Sequence, residues 1–347
     1  MTDKKTKQEE KYKYLTQANI EPLIVKMAIP TIISMLTTSF YNMADTFFVS
    51  KINTQSTAAV GIVFSMMAII QAIGFFFGHG SGNYISIKLG AKDTLEASKM
   101  AATGFLSAMI VGFIILIFGI IFINPLAHIL GSTNTILPYS KTYMKYILIG
   151  APYMTASIVL NNQLRLQGNA LFAMIGLISG AIINIILDPI MIFGLGPIPA
   201  MGIEGAAWAT CIGQTVTLLI YIIAYLLKAI NIKMSFKYLK PGNHICWKVY
   251  SIGIPASLNM ALPSLLVSAL NGILSSFSPM YVVILGIYYK LQTFIYLPAN
   301  GIIQGMRPIL SYNYGAKEYK RVKKIYKYRI YSICFLNSSF WCIRSPW

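Results

Sequence analysis

Three stretches of this chain run far beyond the thickness of a bilayer without a Lys, Arg, Asp or Glu. Residues 52–87 hold none over 36 positions, residues 101–140 none over 40, and residues 249–289 none over 41. About 20 apolar residues cross the hydrocarbon core as a helix, so each stretch holds one span or more. Composition agrees: the 347 residues are 56% apolar and 11% charged, against about 45–50% and about 25% in soluble domains. An ordinary soluble enzyme, a disordered chain and a disulfide-stapled secreted module are excluded. The period-2 alternation of a membrane barrel is absent. The expected fold class is all-α: a polytopic helical protein whose first partner is the lipid bilayer.

Spans are expected at about 23–50, 57–87, 101–123, 140–163, 169–194, 203–227, 249–275, 280–307 and 325–343. The formal charge is +18, which in a soluble protein would suggest nucleic-acid binding. Here the basic residues gather on one set of connections, so no nucleic-acid partner is expected. The tail with Lys4, Lys5, Lys7, Lys11 and Lys13, the 88–99 loop, Arg165, the 228–248 loop and the 317–329 stretch share one side if spans alternate. Of the opposite connections, 51–56, 124–139, 195–202 and 276–279, only the first carries a basic residue, Lys51. Lys141 and Lys145 flank the fourth span and stand apart from the pattern. The bias implies a multi-pass protein of the cell membrane with a cytoplasmic N-terminus. The tail lacks the apolar core of a cleavable signal. Cys211, Cys246, Cys334 and Cys342 form neither a C-x-x-C pair nor a metal-binding spacing.

An internal repeat organises the chain. An ungapped shift of 225 positions superposes Ile29-Pro30 on Ile254-Pro255, Ser39 on Ser264 and Gly61-Ile62 on Gly286-Ile287. The same shift superposes Gly80 on Gly305 and Gly90-Ala91-Lys92 on Gly315-Ala316-Lys317. Six spans separate the copies, so both have one orientation, as in transporters built from parallel repeats. The expected domains are a cytoplasmic tail over 1–22, a six-helix lobe over 23–240 and a second lobe over 241–347. A complete second copy would run to about residue 450. The second bundle is therefore expected to be incomplete, with two spans and part of a third, ending in a segment from Asn337 to Trp347 that does not read as a span.

Two acidic residues lie well inside spans: Asp45 and Asp188. A carboxylate within a bilayer is costly and marks a functional site by default; the bland alternative is a helix-end acid bonded to backbone. Asn184 precedes Asp188 by four residues, which puts both on one helix face. An amide oxygen beside a carboxylate suits an alkali cation or a proton, although an interhelical hydrogen bond explains it equally well. The shift takes Asp45 to Leu270, so the acid belongs to one lobe. Pro30 and Pro189 interrupt spans, as a mobile gate or a rigid kink would. The run Gly78-His79-Gly80-Ser81-Gly82 follows no strand and reads as close helix packing rather than a phosphate loop.

These segments resemble the multidrug and toxic compound extrusion (MATE) antiporters, in particular the MepA-type branch. The matching stretches are Ile29-Pro30, Asp45 to Val49, Gly82 with Ile85 to Asp93, Arg165 to Asn169, Asn184 to Pro189, Gly205 to Thr210, and Gln304 to Pro308 continuing to Lys317. Together they cover roughly 25–330. The resemblance implies a V-shaped pair of six-helix bundles, non-enzymatic, that expels cationic amphipathic molecules by alternating access in exchange for H+ or Na+. It implies a monomer at full length, and no cofactor beyond the coupling ion. It assigns coupling-cation binding, Na+ included, to Asp45, Asn184 and Asp188, completed by Thr210 and Asn161. Pro30 matches the bending proline of the first helix, and Tyr41 is assigned to the substrate cavity. Two alternatives remain at this stage. A lipid-linked sugar flippase of similar fold needs several Arg or Lys in its cavity, and only Lys26 and Lys290 lie within spans. The other is an inactive fragment of a longer transporter.

The charge bias carries a direct test of orientation. Lys13→Cys and Lys92→Cys are each expected to resist an impermeant thiol reagent added outside intact cells. Ready labelling at either position would overturn the numbering of spans.

Overall fold

The computed structural model describes residues 2–194, 197–226, 232, 243–275, 277–328 and 330. It is helical, and no strand occurs among the described residues. A polar helix α1 (Thr2–Gln17) leads into α2 (Ile20–Ser50), α3 (Thr54–Gly90) and α4 (Thr94–Ile121). A short α5 (Ile123–Ile129) precedes α6 (Leu137–Leu166), α7 (Ala170–Phe193), α8 (Ile203–Leu226), α9 (Asn243–Ser275) and α10 (Pro279–Gly315). Eight long helices thus fall where eight spans were expected. Five of them, α2, α3, α4, α7 and α8, are long and apolar enough to cross a membrane by length and composition alone. The last expected span, 325–343, and the 228–248 loop lie largely outside the described residues, though 319–328 are helical.

The outer faces are apolar. On α4 the exposed residues include Ile110, Ile114, Phe118 and Ile121, with Phe113 and Ile117 beside them, spaced at three and four residues along one helix face. Water would not tolerate such a stripe; lipid would. Inside, two apolar clusters occupy opposite ends of the bundle. One gathers Leu23, Ile85, Met100, Leu160 and Tyr312; the other gathers Val49, Val63, Ile70, Tyr143, Leu148 and Ala206.

Residues 225 positions apart adopt the same local structure. Asn53 caps α3 by accepting from the Ser56 amide at 2.7 Å, and Ser278 caps α10 by accepting from the Met280 amide at 3.2 Å. Both helices end in one motif. The Asp93 amide donates to the Lys88 carbonyl at 2.8 Å and the Lys92 amide to that of Leu89 at 3.0 Å. Their counterparts are Glu318 to Asn313 at 3.0 Å and Lys317 to Tyr314 at 3.1 Å. Lys92 and Lys317 both have φ of 62°, the left-handed position where this cap usually places glycine.

The copies also pack with exchanged partners: α2 lies against α10, and α3 against α9. Where α3 crosses α10, backbone meets backbone. A Cβ on Gly90 would lie 2.1 Å from the Tyr312 carbonyl oxygen, and one on Gly315 would lie 1.9 Å from that of Ile87. Tyr312 is Ile87 shifted by 225, so the crossing is a pseudo-two-fold contact. Only glycine permits an approach this close.

Two details go beyond the sequence reading. The tail over 1–22 carries a helix, α1, with Leu15 fully buried. Arg165 is not in a loop; it lies in the last turn of α6, 7% exposed, its guanidinium donating to Asn162. Its neighbourhood is basic, for His79 and Arg307 lie within electrostatic reach. An isolated charge in a charge-poor sequence is read as a loop; here the long side chain turns inward and is bonded instead.

Gly90→Ala and Gly315→Ala are expected to destabilise the chain by similar amounts, about 1–3 kcal/mol each, because neither facing carbonyl can withdraw. Gly61→Ala meets nothing within 4 Å and is expected to be neutral. The midpoint of thermal denaturation in detergent checks both statements.

Candidate functional site

Helix α7 carries the site on one stripe. Gly176, Gly180, Asn184, Asp188 and Ile192 recur every fourth residue and are all buried. The two glycines let α8 approach: a Cβ on Gly180 would fall 2.6 Å from the Gly213 carbonyl oxygen, and one on Gly213 would fall 2.8 Å from that of Gly180. With the backbones so close, the next residues along the stripe face α8 at short range. Asn184 Nδ2 lies 3.5 Å from Thr210 Oγ1 on α8 and 3.5 Å from Asp188 Oδ1 on its own helix. Pro189, directly after Asp188, sits inside α7 and supplies no backbone N–H there.

Asp45 reaches the same region from α2, which packs on α7. Asp45 is 8% exposed and Asp188 fully buried. Tyr41 and Tyr143 each lie in the electrostatic field of both carboxylates. The sequence-level pairing of Asp45 with Asn184, Asp188 and Thr210 is thus brought together by three helices. Tyr143 was not anticipated: between Lys141 and Lys145 it reads as an interfacial aromatic, yet it is fully buried.

The bonding here is incomplete. Contacts of 3.5 Å are at the outer limit of a hydrogen bond. Asp45 Oδ1, Asn184 Oδ1 and Asp188 Oδ2 are buried with no hydrogen-bond partner. Buried polar atoms are almost always paired, so three unpaired oxygens in one cluster point to a guest. Oxygen-only donors of this kind fit a hard cation or a proton. Among the described residues, no three His, Cys, Asp or Glu side chains come together as a metal site.

A cavity of about 130 Å³ runs from this cluster through the first six-helix group, with walls from α2, α3, α6, α7 and α8. Tyr41, Asn184 and Thr210 line it, as do Thr38, Gln71, Ser157 and Gln214, which were not singled out from the sequence. Its walls carry no Arg or Lys among the described residues. Drug-sized ligands need about 300–1,000 Å³, so this cavity holds water or an ion but not a large molecule in this conformation. Asn161 also lines it, but its amide donates to the Tyr221 hydroxyl at 2.6 Å and the Ala173 carbonyl at 3.2 Å. Tyr221 is eleven residues beyond Thr210 on α8, about 16 Å along the axis at 1.5 Å per residue. Asn161 therefore stands on the same wall, away from the carboxylates.

Pro30 lies inside α2, which stays helical from Ile20 to Ser50. Around it, the Thr31, Ser34 and Thr38 hydroxyls donate to the carbonyls of Met27, Pro30 and Ser34 at 2.9, 2.8 and 3.0 Å. Such back-bonding beside a proline favours bending. The side chain of Lys290 lies outside those described.

The sequence profile of the family described as MatE matches residues 30–190 and 255–340. A "Multidrug export protein MepA" from Staphylococcus saprophyticus is 28% identical over 326 residues, covering 94% of this chain and 71% of that protein. Among solved structures, a MATE protein "in the bent conformation" superposes with a TM-score of 0.88 at 26% identity, over 95% of this chain and 73% of its own. A structure of MATE "in the straight conformation" superposes with a TM-score of 0.86 at 26% identity, over 94% and 73%.

Proposed function

Since this chain belongs to the MatE family of multi-pass membrane transporters, we propose that it exports cationic amphipathic molecules in exchange for H+ or Na+. It acts as a carrier, with no bond made or broken. The observation behind the coupling step is the cluster of unpaired buried oxygens on Asp45, Asn184 and Asp188. Two carboxylates in a low-dielectric interior cannot stay charged without a counter-charge. A proton or Na+ supplies one, and a substrate cation supplies another. Competition for the same negative charge is the coupling: filling the site with the small cation removes the attraction that holds the organic one.

In this scheme Asp45 and Asp188 bind the coupling ion, and Asn184 and Thr210 complete its oxygen shell. Asn161 widens the polar wall. Tyr41 and Phe75 offer aromatic faces to an organic cation. Helix α2 bends at Pro30 and changes the cavity between the contracted form described above and a wider one. The crystallisation of MATE in bent and straight conformations supports this reading. We assign residues 23–240 to one lobe and 241–347 to the beginning of a second, with the basic connections and α1 on the cytoplasmic side. A sugar-pyrophosphate cargo is disfavoured, because among the described residues the cavity wall carries no Arg or Lys to meet it.

Asp45→Asn and Asp188→Asn are each expected to abolish energy-dependent ethidium extrusion from cells expressing the chain, with membrane insertion unchanged by blot. Extrusion at the unsubstituted rate would make that acid structural. Absence of extrusion by the unsubstituted chain would overturn the export reading.

A further inference from the structure

Helix α1 lies where α3 and α10 both end, and it touches both sides of their crossing. On the side of the first six-helix group, the Lys11 ammonium donates to the Asn169 side chain in the turn after α6. There too the Lys92 ammonium stands 4.6 Å from the Tyr12 ring centre, at the left-handed corner after α3. On the other side, Asn313 of α10 donates to the Leu15 carbonyl at 3.0 Å. Just past it, the Arg321 guanidinium donates to the Ala18 carbonyl. Leu15 is the peg between them: fully buried, with its Cδ1 3.1 Å from where a Cβ on Gly168 would stand.

We propose that α1 is a strap across this face, and that its docking holds the α3–α10 crossing closed. Three observations carry the idea. The strap joins elements from both sequence copies at the end where Gly90 and Gly315 set α3 and α10 backbone against backbone. It is polar, and of residues 8–17 only Leu15 and Thr16 are buried, with Tyr12 and Tyr14 partly buried beside the same core edge, so its hold is confined to one short segment and can open locally without unfolding the bundle. Its anchors are also of a releasable kind: backbone carbonyls accepting from side chains, and a cation over a ring, at the edge of the bundle. A helix needed only for folding would bury a continuous apolar face; this one inserts Leu15 and lays the half-buried Tyr12 and Tyr14 beside it.

The inference rests on the alternating-access reading, in which the crossing must part on this side to admit substrate. Closed, it hides Ser86, which is fully buried and donates to the Pro308 carbonyl of α10 at 3.3 Å. Ser86→Cys is therefore a reporter for the seam. Thr155→Cys is a reporter for the first group alone, since Thr155 is fully buried and donates to Ala108 on α4.

The experiment places each reporter in the full chain carrying C211A, C246A, C334A and C342A, and follows labelling by N-ethylmaleimide in inside-out vesicles. Leu15→Asp removes the peg; Asn313→Leu leaves Leu15 in place and removes the bond from α10 to the Leu15 carbonyl, together with a bond to Ile309 within α10 itself. Either release is expected to speed labelling of Ser86→Cys at least ten-fold and to leave Thr155→Cys unchanged. Equal Ser86→Cys rates with and without release would overturn the strap. A parallel rise at Thr155→Cys would overturn it too, by showing a general loosening. The readout is labelling rather than transport, so failure of the acid variants to affect extrusion would leave this result standing.

Discussion

Main chain against main chain, with no side chain between, is the contact on which this architecture turns. At the α3–α10 crossing two glycines, Gly90 and Gly315, bring each helix onto a carbonyl of the other. In lipid there is no hydrophobic drive to join helices, so association depends on close packing and on hydrogen bonds. A crossing without Cβ atoms gives the first of these over the largest area. Because the two glycines and the two carbonyls are each related by the same 225-residue shift, the contact is also self-complementary. One local solution serves both halves, and the remaining helices are placed by it: α9 along α3, α10 along α2, and α1 over the junction.

Duplication kept this scaffold and did not keep the chemistry. The capped start of α3, its left-handed lysine corner and its glycine contact all recur in α10. Asp45 does not recur; Leu270 stands in its place. An acid at that position would have added the desolvation cost of a further buried carboxylate to those of Asp45 and Asp188. The glycine stripe of α7 repeats the packing principle at the site itself. Gly180 against Gly213 brings the helices close enough for Asn184 to reach Thr210, so the same device that joins the halves also assembles the oxygen cluster.

Most of this was legible in the sequence, for reasons that differ by residue. Apolar stretches long enough to cross a bilayer placed the eight long helices, because lipid admits only helices and closed barrels and the period-2 pattern of a barrel is absent. The i, i+4 spacing put Asn184 and Asp188 on one face, and the rarity of acids in spans singled out Asp45. What escaped reading depends on the direction of a side chain or on distant partners. Tyr143 looks interfacial and is buried. Arg165 looks like a loop cation and is bonded inside α6. Asn161 matches the family pattern, yet is held by Tyr221 at a distance from the carboxylates. Helix α1 carries no periodic apolar face, so nothing in it announced a docking site; only the carbonyls it offers, which every sequence has, meet Asn313 and Arg321.

If the chain exports by cation exchange as proposed, the looseness of the oxygen cluster has a use. A fully bonded cluster would be stable in one state and indifferent to a cation. Here Asn184 stands at 3.5 Å from both Thr210 and Asp188, and three oxygens have no partner. A buried polar atom left unpaired costs about 1–3 kcal/mol, and coupling between two binding sites typically amounts to about 1–3 kcal/mol. The deficit at even one of these oxygens is therefore of the size that a coupling ion would need to relieve in order to bias α2 and α7 from one arrangement to the other. On this reading the site is poor in hydrogen bonds because a satisfied one would have nothing to gain from the ion.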